Sequence, residues 1–237
     1  MSTGLATGLE LWELGVLPQL LFNAECWFEM TNDTLKELEN TQLRFYRSLL
    51  AVGSGCPTPL LYWETGGLLM KYRILKKKLL FIHHVATLPT DALAREVYDT
   101  QRKLNLPGIY KDCEAFLIKA GVTALEAFSS PQWKKFVKKT IAKMNRDELV
   151  KQMRSYKKIN QADFTERQQQ VQLYMKNLKV SEARLRFKIE SGMTPTVRMN
   201  FMNDEGYRSQ QWVCPGCNEQ LDTESHNGLL SIFASTQ

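Results

Sequence analysis

Apolar residues in this chain recur at three- and four-residue spacing, and the two-residue alternation of a half-buried strand is almost absent. That property restricts the fold to helices packed on helices, because only a 3.6-residue period gathers such positions onto one face. After Thr31-Asn32-Asp33, a group of N-cap residues, Leu35, Leu38, Phe45, Leu49 and Val52 form a stripe broken only by Gln42. The run Gly53-Ser54-Gly55-Cys56-Pro57-Thr58-Pro59 ends that helix, since neither glycine nor proline sustains one. A second helix follows Gly66-Gly67. It carries Leu68, Tyr72, Leu75, Leu79, Ile82 and Ala86 on one face, with Lys71, Arg73, Lys76, Lys77 and Lys78 opposite, and stops at Pro89. Thr90-Asp91 cap a shorter helix that runs to about Leu104, before the Asn105-Leu106-Pro107-Gly108 turn. Three such stripes can close a helical bundle, assigned here to residues 1–128.

At Ser129 the composition shifts, opening a basic helical region over residues 129–180. Ser130 suits the N-cap and Pro131 the first helical position. The helix they start interleaves Trp133, Phe136, Val137, Ile141 and Met144 with Lys134, Lys135, Lys138, Lys139 and Lys143. Asn145 and Glu148 resemble a capping box, which predicts a restart and a second basic helix with Lys151, Arg154, Lys157 and Lys158 opposite Met153 and Tyr156. Gln168-Gln169-Gln170 reads as a polar helix face or a linker. In the last segment, 181–237, Ser181 caps a helix through Ile189, and Pro195, Asn200, Asn203 and Gly206 then predict irregular chain. The predicted class is therefore mainly α: a bundle, then basic helices, then a small irregular segment shaped like a zinc knuckle.

Hydrophobic content of 43% is ordinary for a globular chain, and the formal charge of +6 is compatible with a polyanionic partner without requiring one. Five cysteines, three of them isolated at Cys26, Cys56 and Cys113, are no disulfide framework and point to a reducing compartment. Residues 1–9 lack the runs of a signal peptide, and the apolar stretch 15–28 is too short and too interrupted to span a bilayer. The expectation is an intracellular protein, nuclear or cytoplasmic, with no membrane partner. Nothing in the sequence sets its oligomeric state.

Two constellations carry chemistry. Lysines at short spacing along a helix suit sequence-independent contact with the phosphates of RNA or DNA, through Lys134, Lys135, Lys138, Lys139, Lys143, Lys151, Arg154, Lys157 and Lys158. A merely solvated face explains the same lysines as well. Trp133 and Phe136 could stack on bases, but their spacing with Val137 and Ile141 places them in the core first. The second constellation is Cys214-Pro215-Gly216-Cys217 with His226, a three-ligand set for Zn²⁺ whose fourth ligand is missing. Asp222 or Glu224 could add an oxygen; alternatively the cysteines are a remnant that binds nothing, or a redox pair without the usual βαβ setting. His83 and His84 stand about 100° apart on a helix, which makes them a partly buried and a surface histidine rather than a metal pair. No phosphate-binding loop, paired metal-binding aspartates or nucleophile elbow occurs, so no catalytic residue is assigned.

Several segments, in order, resemble the post-palm part of non-LTR retrotransposon reverse transcriptases. Gly15 to Trp27 is similar to the family's Leu-Pro, Leu-Leu-Tyr-Gly, Glu-x-Trp passage from palm to thumb, with Phe22-Asn23 in place of Tyr-Gly. Leu38 to Val52 resembles its Leu-Glu, Gln-x-x-Phe-x-Arg helix. Glu64 to Leu69 resembles its Glu-x-Gly-x-Leu turn, and Leu79 to Pro89 its Leu-x-Phe-x-His-His, Leu-Pro segment. Arg184 to Gly192, Cys214 to Cys217 and Asp222 to His226 are similar to the terminal knuckle, with Ser231 near the place of the last cysteine. The resemblance implies a thumb and post-thumb region that holds template and primer, followed by a nucleic-acid-binding knuckle. It also implies no polymerase activity in this chain alone, since the family's catalytic aspartates belong to a palm that would precede Met1. A helical protein–protein interaction module, using the stripes of residues 68–86, is the alternative.

Overall fold

The computed structural model describes residues 4–28, 30–156 and 169–191, and these are mainly helical. In chain order the α-helices are α1 (Leu5–Leu11), α2 (Leu17–Leu20), α3 (Asn32–Leu50), α4 (Thr58–Glu64), α5 (Met70–Ala86), α6 (Leu93–Lys103), α7 (Ile109–Lys119), α8 (Ser130–Met153), α9 (Leu173–Asn177) and α10 (Val180–Glu190). A π-helical turn, Trp12–Val16, joins α1 to α2, and single 3₁₀ turns occupy Ala24–Cys26 and Leu125–Ala127.

The centre of the molecule is α4, which sequence periodicity does not single out. From Pro59 to Glu64 every residue is buried, as expected of a short helix that is apolar all round. α3 and α8 pack against it, and one continuous apolar core joins residues from Leu5 to Phe187. The stripe predicted on α5 largely holds: Tyr72, Leu79, Ile82 and Ala86 are buried. Lys78, however, is not on a solvated face. It is 6% exposed and ion-paired with Asp112 of α7, because α6 and α7 fold back over that side of α5. Arg73 likewise turns inward to Glu13.

Other expectations change as well. On α3 the buried face is Gln42, Leu43, Tyr46 and Leu50, with Leu35, Leu38, Phe45 and Leu49 packed half-buried beside it. The apparent gap at Gln42 is thus the middle of the contact. Asn145 does not restart a helix either: α8 runs unbroken through it for 24 residues. Its cap is Ser129 rather than Ser130, and Ser129 pairs with Gln132 in a capping box. At α6 the cap position falls on Ala92, just after the predicted Thr90-Asp91. Thr31 caps α3 as expected, its hydroxyl accepting from the amide of Thr34.

Candidate nucleic-acid interface

Helix α8 buries Trp133, Val137, Ile141, Asn145, Leu149 and Met153, a strict four-residue repeat. Each step of four turns about 40° past a full circle, so the stripe winds by about 200° from end to end. The helix therefore lies obliquely across the core. Its first half meets α5, where the Trp133 indole N–H donates to the Leu79 carbonyl at 2.7 Å and its ring stacks on His83. Farther along, the Arg146 guanidinium lies over the Trp63 ring of α4. Trp133 is thus core, and Phe136, half-buried, stacks on Trp133 and tilts against Phe128. His83 is buried, with Nε2 hydrogen-bonded to the Phe128 carbonyl at 2.9 Å, while His84 is exposed.

Asn145 connects this helix to the turn between α4 and α5. Its Oδ1 accepts from the amide of Leu69 at 3.0 Å, and its Nδ2 donates to the carbonyl of Gly67 at 3.3 Å. Leu69 is the N-cap residue of α5 and brings no capping side chain of its own, so a side chain 76 residues away satisfies that donor. The whole turn is held in this way. Gln169 donates to the Gly67 carbonyl at 2.7 Å, Gln42 and Arg73 donate to that of Leu68 at 3.1 Å each, and the Met70 amide donates to Glu39 at 2.8 Å. Tyr62 donates to the other oxygen of Glu39. Burial still holds the Glu39 carboxyl above its ordinary range, against the pull of these two donors. Gly66 has φ +67°, and a Cβ there would meet the backbone of Gln170 at 2.9 Å. The turn at residues 64–69 is therefore where α3, α4, α5, α8 and the 169–172 segment converge.

The outward side of α8 is a different surface. Lys134, Lys135, Lys138, Lys139, Lys143, Lys151 and Arg154 are all exposed. Among the described residues, Lys134, Lys135, Lys138, Lys139 and Lys143 form no ion pair or hydrogen bond. Residues 130–156 hold eight Lys and Arg against two Asp and Glu, a surplus equal to the +6 of the whole chain. Every other segment taken together is neutral, so the charge excess of the chain belongs to this stretch. Lys71 of α5 reaches Glu148 at 3.2 Å and covers one of those two carboxylates.

The structure brings seven of the nine predicted basic residues onto this one helix and its C-terminal turn; Lys157 and Lys158 lie outside the described residues, as do Cys214, Cys217 and His226. Among the described residues no group of three or more His, Cys, Asp or Glu could hold a metal ion, and no helix is long and apolar enough to cross a membrane. The apolar stripe of α5 is consumed by the core; the large exposed apolar side chains lie elsewhere, among them Leu14, Phe22, Leu93 and Ile118. No family model, curated protein or solved structure matches the chain.

Proposed function

We propose that this chain binds nucleic acid without sequence preference through the outer face of α8. We further propose that it is a retroelement-derived segment, similar to the post-palm region of a non-LTR reverse transcriptase and without polymerase activity of its own. The observation that carries the binding reading is the concentration of the net charge in residues 130–156, where five exposed lysines of α8 engage no partner among the described residues. Unpaired lysines on a rigid helix meet phosphates at low ordering cost and release condensed counterions. The family reading is supported by the ordered segments in the sequence, and one of these, Glu64 to Leu69, coincides with the turn on which the helices converge.

Titration of the full chain against mixed-sequence oligonucleotides at several salt concentrations tests the reading. The logarithm of affinity should fall linearly with that of salt, by about 0.9 per phosphate neutralised on a duplex. Replacing Lys134, Lys135, Lys138, Lys139 and Lys143 by Gln should flatten the slope by up to about 4.5. A flat slope, or an unchanged one in the variant, refutes it. For the tail, a knuckle held by Cys214, Cys217 and His226 predicts zinc in the purified chain that is lost on Cys214→Ser.

A further inference from the structure

Helix α6 keeps its polar side inward. Tyr98, 2% exposed, meets the Tyr110 ring edge-on, and the Arg102 guanidinium lies over that same ring. Arg95 pairs with Asp99 at 2.8 Å and with Glu126 at 3.0 Å. The apolar residues point the other way: Leu93 is 74% exposed, Val97 46% and the C-cap residue Leu104 59%. Around the helix axis Val97 stands about 40° from Leu93, Leu104 about 20° to the same side and Thr100 about 20° to the other, while Tyr98 is about 140° away. Leu93, Val97, Thr100 and Leu104 therefore form one straight outward stripe, all four of them exposed. A surface helix ordinarily turns such a stripe to its own core.

The steps along the stripe are four, three and four residues, which read the same from either end. Laid antiparallel on a second copy about a two-fold axis, the stripe is complementary to itself. Leu93 then meets the second copy's Leu104, and Val97 meets its Thr100. Charge selects this direction. Glu96 and Lys103 stand at about 300° and about 280°, on one flank, and Ala94 and Gln101 at about 100° and about 80°, on the other. An antiparallel two-fold pair brings each flank against the same flank of the second copy, so Glu96 faces Lys103 and Lys103 faces Glu96, within about 3 Å along the axis. A parallel pair would set both charges against Ala94 and Gln101. Among the described residues neither Glu96 nor Lys103 forms an ion pair or hydrogen bond within its own chain, and both are exposed.

We propose that α6 is the interface of an antiparallel homodimer, in which a second copy covers Leu93, Val97, Thr100 and Leu104. The assignment is independent of the nucleic-acid reading. Two helices of 11 residues bury less than a standard interface of about 1,600 Å², so association is reversible and rises with concentration. Sedimentation velocity of the full chain, freed of nucleic acid, should show monomer passing to dimer as concentration increases. Leu93→Gln with Leu104→Gln should weaken association by about 100-fold or more, since both copies lose two apolar contacts. Glu96→Lys should weaken it by about tenfold, and Glu96→Lys with Lys103→Glu should restore it. All these positions are exposed, and unaltered far-UV circular dichroism confirms that each variant folds. A monomer at every concentration overturns the proposal, whether another segment of this chain or a different protein then covers the stripe. A dimer indifferent to the leucine pair overturns it too, as does a double charge exchange that fails to restore association.

Discussion

Buried polar side chains in this molecule act on backbone groups far away in sequence, and Asn145 is the clearest case. Replacing it by Leu leaves the Leu69 amide without its partner and takes one of two donors from the Gly67 carbonyl. A destabilisation of about 2 kcal/mol is expected from the orphaned buried donor, read as a lower urea midpoint at unchanged slope. Cysteines supply a second residue-scale test. Burial pushes the Cys56 thiol up to about 11 and that of Cys113 up to about 12, while Cys26 is exposed. At neutral pH a thiol reagent should label Cys26 and leave Cys56 and Cys113 untouched until denaturant is added, as peptide mapping will show. Isolation in the sequence does not decide burial, since Cys26 stands alone like the other two and is exposed. The role of Asn145 was not legible, because its partners are main-chain atoms of a turn that no local pattern ties to it.

Among the elements, α8 shows what periodicity conveys and where it stops. Its helical character, its core aromatics and its exposed lysines follow from spacing alone. A capping signal at Asn145 and Glu148 misled, since the same residue types satisfy groups on neighbouring elements as readily as their own backbone. The true cap is testable: Ser129→Ala should cost about 1 kcal/mol and Ser130→Ala much less, compared by thermal denaturation. Helix α4 stayed hidden for another reason, because a seven-residue element buried on every side has no polar face to reveal a period. The burial of Lys78 was equally illegible, because its partner Asp112 belongs to a helix whose position only the tertiary fold sets. At the start of the chain, Lys77 of α5 donates to the Leu21 carbonyl and to Glu25, each at 2.9 Å, and pins the 3₁₀ turn there. The hydrogen bond from Lys77 lowers the Glu25 carboxyl below its ordinary value of 4.5. As pH falls the unfolded chain takes up that proton first, so the pair stabilises fully above the ordinary carboxylate range and loses its effect as pH drops through the lowered pKa. The pair is partly exposed, so Lys77→Met should cost at most about 1 kcal/mol at neutral pH. That difference from the parent should shrink in denaturant titrations at more acidic pH.

For the whole molecule, charge and cohesion are separated. Interior contacts join α1 through α5 with α8 to α10, closed by Tyr174 donating to buried Glu64 at 3.0 Å and Arg184 donating to the Leu49 carbonyl at 2.9 Å. The charge excess belongs to residues 130–156, and five of its lysines stand exposed on α8 where this cohesion does not use them. Gln substitutions among those lysines should therefore change ligand affinity while leaving the melting temperature within a degree or two, since surface changes away from structural contacts lie within about 0.5 kcal/mol. The first-turn amides of a helix normally exchange their hydrogens with solvent quickly, because no preceding carbonyl protects them. The Leu69 amide, at the start of α5, is instead closed off by a side chain on α8. It exchanges only when that bond opens, so its deuterium uptake rate reports how often the contact between the turn and α8 breaks.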